Sequence, residues 1–317
     1  MHQKKITFFM LVTNRDCVIA DYSISSYAKI WAEKRPFGYQ DFVLFVYLNG
    51  LSADNKAWYF DKWSTYPFTI LYDNAEKFNE ENAPYPEQLI ISPEGFRNKR
   101  EDYTENCDEL WTTELKKFNT TYIATVDADF EILDADFYFY LVSQLEQHIN
   151  YIGASSSYSK TSIEYDTYSK RQIELQERNH TWFCIYRKEA FSLSTVSHFY
   201  YQDLTPEGKV AAFDSAAFFQ HDLRKNHHFD FATLPKAFRS SFVHYGAASK
   251  NRSLTRDNIS LYRRAFLFAH IGLMHGKESL FSGLINKVVR KAGGYFFGRY
   301  LKKFTIERST YIYDEPA

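Results

Sequence analysis

TYIATVDADFEIL, residues 121–133, opens as a buried strand, TYIATV, and runs straight into two carboxylates, Asp127 and Asp129. Strands of that kind belong to parallel sheets covered by helices on both sides. In such sheets ligands are met beyond the carboxyl ends of the strands. Two carboxylates at i and i+2 just past a strand end project together into that cleft if the chain turns there. Hard divalent cations such as Mg2+ take carboxylate oxygens and keep open positions for phosphate. The plain alternative is an ordinary polar turn. The tripeptide alone carries little, since Asp134 and Asp136 form a second copy, DAD. There a helical pattern begins, and N-terminal capping with dipole compensation accounts for it.

Outward from this strand, the first half of the chain alternates short apolar runs with helical stretches, the pattern of an α/β sheet built from crossover units. Strands are expected at 6–12 (ITFFMLV), 41–50 (DFVLFVYLNG), 68–74 (FTILYDN), 121–126 (TYIATV), 150–155 (NYIGAS), 181–187 (TWFCIYR) and 241–246 (SFVHYG). Helices are expected at 19–33, 54–64, 104–118, 134–148 and 214–226. Residues 75–102 carry Pro84, Pro86, Pro93 and Gly95 among charges and read as a surface excursion. The Ser- and Tyr-rich stretch 156–170 reads as a loop over a site. Beyond about residue 254 the character changes to helices, 255–274 and then 279–304. The expected organisation is therefore a domain over 1–254 and a helical extension over 255–317.

An apolar share of 45% in 317 residues is ample for a substantial core and excludes a disordered chain. Aromatic residues make up 19%, which suits contact with saccharides because sugar C–H faces pack on rings. A biased coding composition explains the same excess. The formal net charge of -1 offers no overall attraction to nucleic acid, which is not expected as a partner. Cys17, Cys107 and Cys184 are odd in number, far apart and without C-x-x-C spacing, so neither a disulfide framework nor a thiolate zinc site is expected. A reducing cytoplasm is their natural setting. The apolar run of MHQKKITFFMLVTNRD at the start is too short for a signal peptide and reads as the first strand. No run of about 18 apolar residues occurs, so no transmembrane helix is expected.

MLVTNRD (10–16), VYLNGLS (46–52), ILYDN (70–74) and TVDADFEIL (125–133) together resemble the first three strand ends and the metal-binding D-x-D segment of the family-2-like GT-A glycosyltransferases. HTWFCIYRKEAF (180–191) resembles that family's acceptor-side strand, and FDSAAFFQHDLRKNHH (213–228) the segment that carries the catalytic base of inverting members. FVHYGAASKNRS (242–253) resembles its C-terminal metal-ligating His segment. The resemblance covers roughly residues 5–255; Asn49 stands where the family often has an acidic residue that reads nucleobase or ribose. It implies a GT-A (Rossmann-like) mixed sheet flanked by helices, with a C-terminal helical appendage. It also implies a divalent cation, Mn2+ or Mg2+, and a nucleotide-sugar donor. Transfer would go to a glycan or lipid-linked saccharide, with inversion, in surface polysaccharide or glycoconjugate synthesis.

Roles for individual residues follow from that likeness and from their chemistry. Asp127 and Asp129 hold the cation, and His244, between an apolar strand and Gly246, completes its ligands as a neutral imidazole; a structural His at a strand end is the alternative. Lys250 and Arg252 offer charge to the diphosphate, or simply sit on a solvated loop. Asp214 is the candidate base for the acceptor hydroxyl, with helix capping an equal alternative and Asp203 and Glu177 weaker substitutes. Thr13, Asn14, Arg15, Asn49 and Asp73 lie at neighbouring strand ends, where they can hydrogen-bond base or ribose. Trp182 and Tyr186 are candidates to stack on an acceptor sugar, though aromatic residues in a strand are more often core.

Residues 279–304 combine Lys287, Arg290, Lys291, Arg299, Lys302 and Lys303 with Leu, Val and Phe. Such a stretch can lie on an anionic membrane at the cytoplasmic face, or pack on the catalytic domain or a second subunit as a homodimer contact. Two competing functions remain. A sugar-phosphate nucleotidyltransferase shares a related sheet but opens with a Gly-rich phosphate loop, and MLVTNRDCVIADYS has no glycine. A non-catalytic carbohydrate-binding or scaffold protein would keep the fold without the chemistry.

Overall fold

The computed structural model describes residues 4–14, 16–32, 41–49, 51–73, 119–166, 171–194, 201–204, 210–213, 216–245 and 254–274. In chain order these form β1 (Lys4–Thr13), α1 (Cys17–Ser26), α2 (Ala28–Ala32), β2 (Phe42–Asn49), α3 (Ala53–Ser64), β3 (Thr69–Asp73), β4 (Thr120–Asp127) and β5 (Phe130–Ile132). There follow α4 (Asp136–Gln147), β6 (Tyr151–Ser155), β7 (Tyr158–Ser159), β8 (Ser162–Asp166), β9 (Arg171–Leu175), β10 (Arg178–Asn179), β11 (Phe183–Arg187) and α5 (Ala190–Leu193). The remainder is β12 (Tyr201–Leu204), β13 (Val210–Phe213), α6 (Ala217–Lys225), β14 (Asp230–Thr233), a 3-10 turn over Lys236–Ser241, β15 (Phe242–His244) and α7 (Ile259–Met274). The expected helix at 104–118 and the basic stretch 279–304 lie outside the described residues.

The main sheet has seven strands in the order β14, β6, β11, β4, β1, β2, β3. β1 is parallel to β2 and β4, and β2 to β3, while β11 runs antiparallel between β4 and β6. The alternating pattern predicts an α/β sheet, and its mixed order, with helices flanking it, is the one the resemblance implies. Alternation along β1 explains the double covering: Ile6, Phe8, Met10 and Val12 belong to one buried cluster, and Phe9 packs with Phe45, Tyr47 and Ile123 in a second. Each such side chain removed from water contributes about 1.5–3 kcal/mol, so the sheet is anchored on both faces.

The helix expected over 19–33 is two helices, divided at Tyr27. Ser25 and Ser26 turn their hydroxyls back to the carbonyls of Tyr22 (3.0 Å) and Ser23 (2.6 Å), competing with the helical ladder. The Tyr27 ring is wholly buried, edge-on to Phe8 at 5.2 Å. The stretch 156–170, expected as a loop, instead contains β7 and β8, and β8 joins a four-stranded sheet in the order β12, β13, β9, β8. Ile163 of β8 is 65% exposed, so its apolar side chain does not mark a half-buried strand.

Two short strands matter most for the site. β5 follows the carboxylate pair directly and pairs antiparallel with β15, matching Phe130 with His244 and Ile132 with Phe242. Its other edge is served by side chains from α1 and α2 in place of a strand. Ser23 Oγ donates to the Phe130 carbonyl, the Ile132 N–H donates to Ser26 Oγ at 2.9 Å, and Lys29 Nζ donates to the Ile132 carbonyl at 2.6 Å. A Ser23→Ala variant would leave a buried carbonyl without that donor, so a loss of about 1–3 kcal/mol is expected. Urea unfolding read by fluorescence checks it; an unchanged midpoint would show that the helix edge does not hold β5.

After β15, α7 returns to the same core: Ile259, Tyr262 and Phe266 are buried in the cluster that contains Phe130, Phe242 and Tyr245. No helix among the described residues is long and apolar enough to cross a membrane.

Candidate functional site

Strand register lines up the candidate residues along one edge of the sheet. Thr13 pairs with Asn49, Leu48 with Asp73, and Leu11 with Asp127, so all four residues stand at the carboxyl ends of parallel strands. Beyond Asp127 the chain turns through Ala128, which is buried, and places Asp129 just ahead of β5. The ladder between β5 and β15 then delivers His244 to the same point.

His244 Nε2 lies 3.2 Å from Asp127 Oδ2 and 3.0 Å from Asp129 Oδ1. One ligand atom from each of the three residues falls within 4.8 Å of the others, a spacing that a single cation can bridge. The two oxygens and one imidazole nitrogen suit Mn2+ or Mg2+ better than a thiolate-seeking metal. The three differ in exposure: Asp129 and His244 are 9% and 13% exposed, whereas Asp127 is 42% exposed and opens to solvent. The Asp127 N–H donates to the Trp182 carbonyl (3.0 Å), and the Tyr245 N–H donates to that of Asp129 (3.0 Å). The Trp182 ring lies flat on His244, centroids 4.1 Å apart, with His180 on its other face at 4.2 Å.

Burial alone would push the His244 imidazolium down, but Asp129 and Asp127 outweigh it and raise its pKa to about 10. At neutral pH the ring is therefore protonated, within 3.2 Å of both carboxylates. Its attraction contributes fully below the unfolded value of about 6.5 and is lost as pH rises through about 10. Metal must displace that proton, so Mn2+ binding near neutral pH is expected to release about one proton. Titration calorimetry in two buffers of different ionisation enthalpy reads the release directly. Identical heats in both would mean that His244 does not change its protonation state.

No protein-family model matches the sequence, and no curated protein does. Among solved structures it is similar to a mannosyltransferase from Pyrobaculum calidifontis in complex with GDP-Man and Mn2+, at 12% identity over 94% of this chain and 83% of that one, TM-score 0.41. It is similar also to glucosyl-3-phosphoglycerate synthase from Mycobacterium tuberculosis with Mn2+, UDP and glucosyl-3-phosphoglycerate, at 10% identity over 87% and 81%, TM-score 0.39. A third likeness is to 4-diphosphocytidyl-2C-methyl-D-erythritol synthase from Anaerococcus prevotii, at 8% identity over 73% and 86%, TM-score 0.38. These likenesses are loose, and the chemistry of the site is read from its own residues.

At the other strand ends, several predicted residues already have protein partners. Thr13 donates from its N–H (2.6 Å) and its hydroxyl (3.2 Å) to Asp16 Oδ1. Asn14 Oδ1 accepts from the Ser52 N–H (2.6 Å) and from Asn55 Nδ2 (3.1 Å), tying the end of β1 to the start of α3. Asp73 forms an ion pair with Lys56. Tyr186 is fully buried, with Gln220 Nε2 donating to its hydroxyl at 3.0 Å, so it belongs to the core and does not face an acceptor. Glu177 accepts from the Tyr158 hydroxyl. Arg15, Asp214, Lys250 and Arg252 lie outside the described residues, as do the side chains of Asn49 and Asp203.

Asp134 and Asp136 behave as helix-start residues: the Asp136 N–H donates to Asp134 Oδ1 at 2.6 Å, at the first turn of α4. One residue was passed over by sequence reasoning. Asp16, in the turn after β1, has its carboxyl pushed up to about 8 by burial, with Asp129 adding to the rise and the Thr13 N–H opposing it. Its three-residue spacing from Thr13 was the available signal, but it equally describes a helix N-cap.

Proposed function

We propose that this chain is a metal-dependent glycosyltransferase of the GT-A type, moving a hexosyl group from a nucleotide-sugar donor to a saccharide or lipid-linked acceptor. The observation that carries this reading is the convergence of Asp127, Asp129 and His244 at the edge where four parallel strands end. Mn2+ or Mg2+ bound by them supplies Lewis-acid stabilisation to a departing diphosphate. Asp129 and His244 keep the ligand atoms fixed, Asp127 meets the solvent side, and the Trp182 ring forms the wall behind the imidazole. Thr13, Asn49 and Asp73 serve the nucleotide end, with Asn14 holding that end of β1 to α3, Arg15 adds a hydrogen bond to base or ribose, and Lys250 and Arg252 meet the diphosphate. Asp214 takes the proton of the acceptor hydroxyl as it attacks opposite the leaving group, which inverts the anomeric centre. The basic, apolar stretch 279–304 holds the enzyme at the cytoplasmic face of a membrane, where lipid-linked acceptors for surface polysaccharide are found.

A thermal-shift screen of UDP-, GDP-, dTDP- and CMP-sugars with and without Mn2+ tests the reading, because a ligand present at about 100 times its Kd stabilises by about 2.7 kcal/mol. One nucleotide series is expected to raise the melting temperature only when Mn2+ is present. No shift with any donor, with or without metal, would move the protein to a non-catalytic scaffold.

A further inference from the structure

We propose that Glu131, Arg263 and Tyr245 form a clamp that sets the spacing between Asp129 and His244, making Arg263 a positioning residue for the cation site. The inference rests on the metal-dependent reading above.

Glu131 is the middle residue of β5, two beyond Asp129, and is only 2% exposed. Arg263 reaches it from α7 through two bonds, Nε to Oε2 at 2.8 Å and Nη2 to Oε1. The Tyr245 hydroxyl donates to the same Oε2. Tyr245 directly follows His244, and its N–H donates to the Asp129 carbonyl at 3.0 Å. A single buried carboxylate therefore joins the segment after one metal ligand to the segment after the other. The Arg263 guanidinium also lies 4.7 Å above the Tyr22 ring, next to Ser23, which holds the far edge of β5.

An ion pair of this kind is an expensive way to pack a helix, since apolar residues in the same volume are commonly as stable or more so. What it supplies is direction: the planar fork of arginine meets a carboxylate in one orientation, which lysine does not reproduce. β5 and β15 are three residues each, and two such short strands fix little by backbone pairing alone.

The test is Mn2+ affinity of the full chain, read from the electron paramagnetic resonance signal of the free ion, alongside urea midpoints. Arg263→Lys, which keeps the charge, is expected to bind Mn2+ about 10-fold more weakly, in the range found for residues that orient metal ligands, with most of its folding stability retained. The double variant Glu131→Gln with Arg263→Met buries no unpaired charge, and it is expected to fold while leaving Mn2+ affinity lowered. Wild-type affinity in both variants would overturn the clamp, provided Asp129→Asn abolishes binding. A native chain that binds no Mn2+ at all would overturn the metal reading itself.

Discussion

Asp127→Asn is expected to lower sugar transfer by at least about 10²–10³-fold, the usual cost of removing one electrostatic stabiliser of a transition state, while leaving the fold in place. Asp127 is the most exposed of the three candidate ligand residues, and its main-chain tie to Trp182 does not involve the carboxylate. The carboxamide keeps the shape of the side chain and removes its charge. Mn2+ then has one anionic oxygen fewer, and the imidazolium of His244 loses one of the two carboxylates that hold its proton. The decisive measurements are turnover at saturating donor and Mn2+, a Mn2+ titration, and a melting curve. Turnover within tenfold of the unaltered chain would sink the assignment of this residue.

The largest effect on stability is expected at Phe130. Its side chain is wholly buried, and its ring stacks on Phe242 at 4.8 Å and packs on Phe183 at 5.1 Å and Phe137 at 5.9 Å. Truncation to alanine removes these contacts and leaves a cavity that a ring of aromatic neighbours cannot readily fill, so Phe130→Ala should cost about 3–5 kcal/mol. Domains commonly have only about 5–15 kcal/mol in total, so the variant would stand close to unfolding. Because Phe130 lies between Asp129 and Glu131 and pairs with His244, Mn2+ affinity should fall with it even where the chain remains folded. A urea midpoint corresponding to less than 1 kcal/mol of loss would show that the aromatic cluster re-forms without this ring.

Asn14 shows why part of the site was not legible in the sequence. An amide at a strand end is equally fit to bind a ribose or to tie two loops together, and its Oδ1 takes the second role toward Ser52 and Asn55, 38 and 41 residues away. Tyr186 illustrates the same limit, since in a strand the face that a ring presents depends on what covers the sheet. Arg256 was not singled out as a site residue, yet it bonds Asp54 and Asn55 at 2.7 Å and lies 4.7 Å above the exposed Trp58 ring, pinning the start of α3.

The sequence by itself determined the alternation of strands and helices, the burial of the first strand and of β4, and the place of Asp127 and Asp129 at the end of a buried strand. All of these are local, since apolar runs and turn residues act on their own neighbourhood. Tertiary structure alone decided that β5 pairs with β15 and that Glu131 finds Arg263 across 132 residues, and it carries His244, which the resemblance groups with the carboxylates, to them across 117. A hydrogen-bonding side chain accepts many partners equally well, and only the packing of the aromatic core around Phe130 brings one of them within reach.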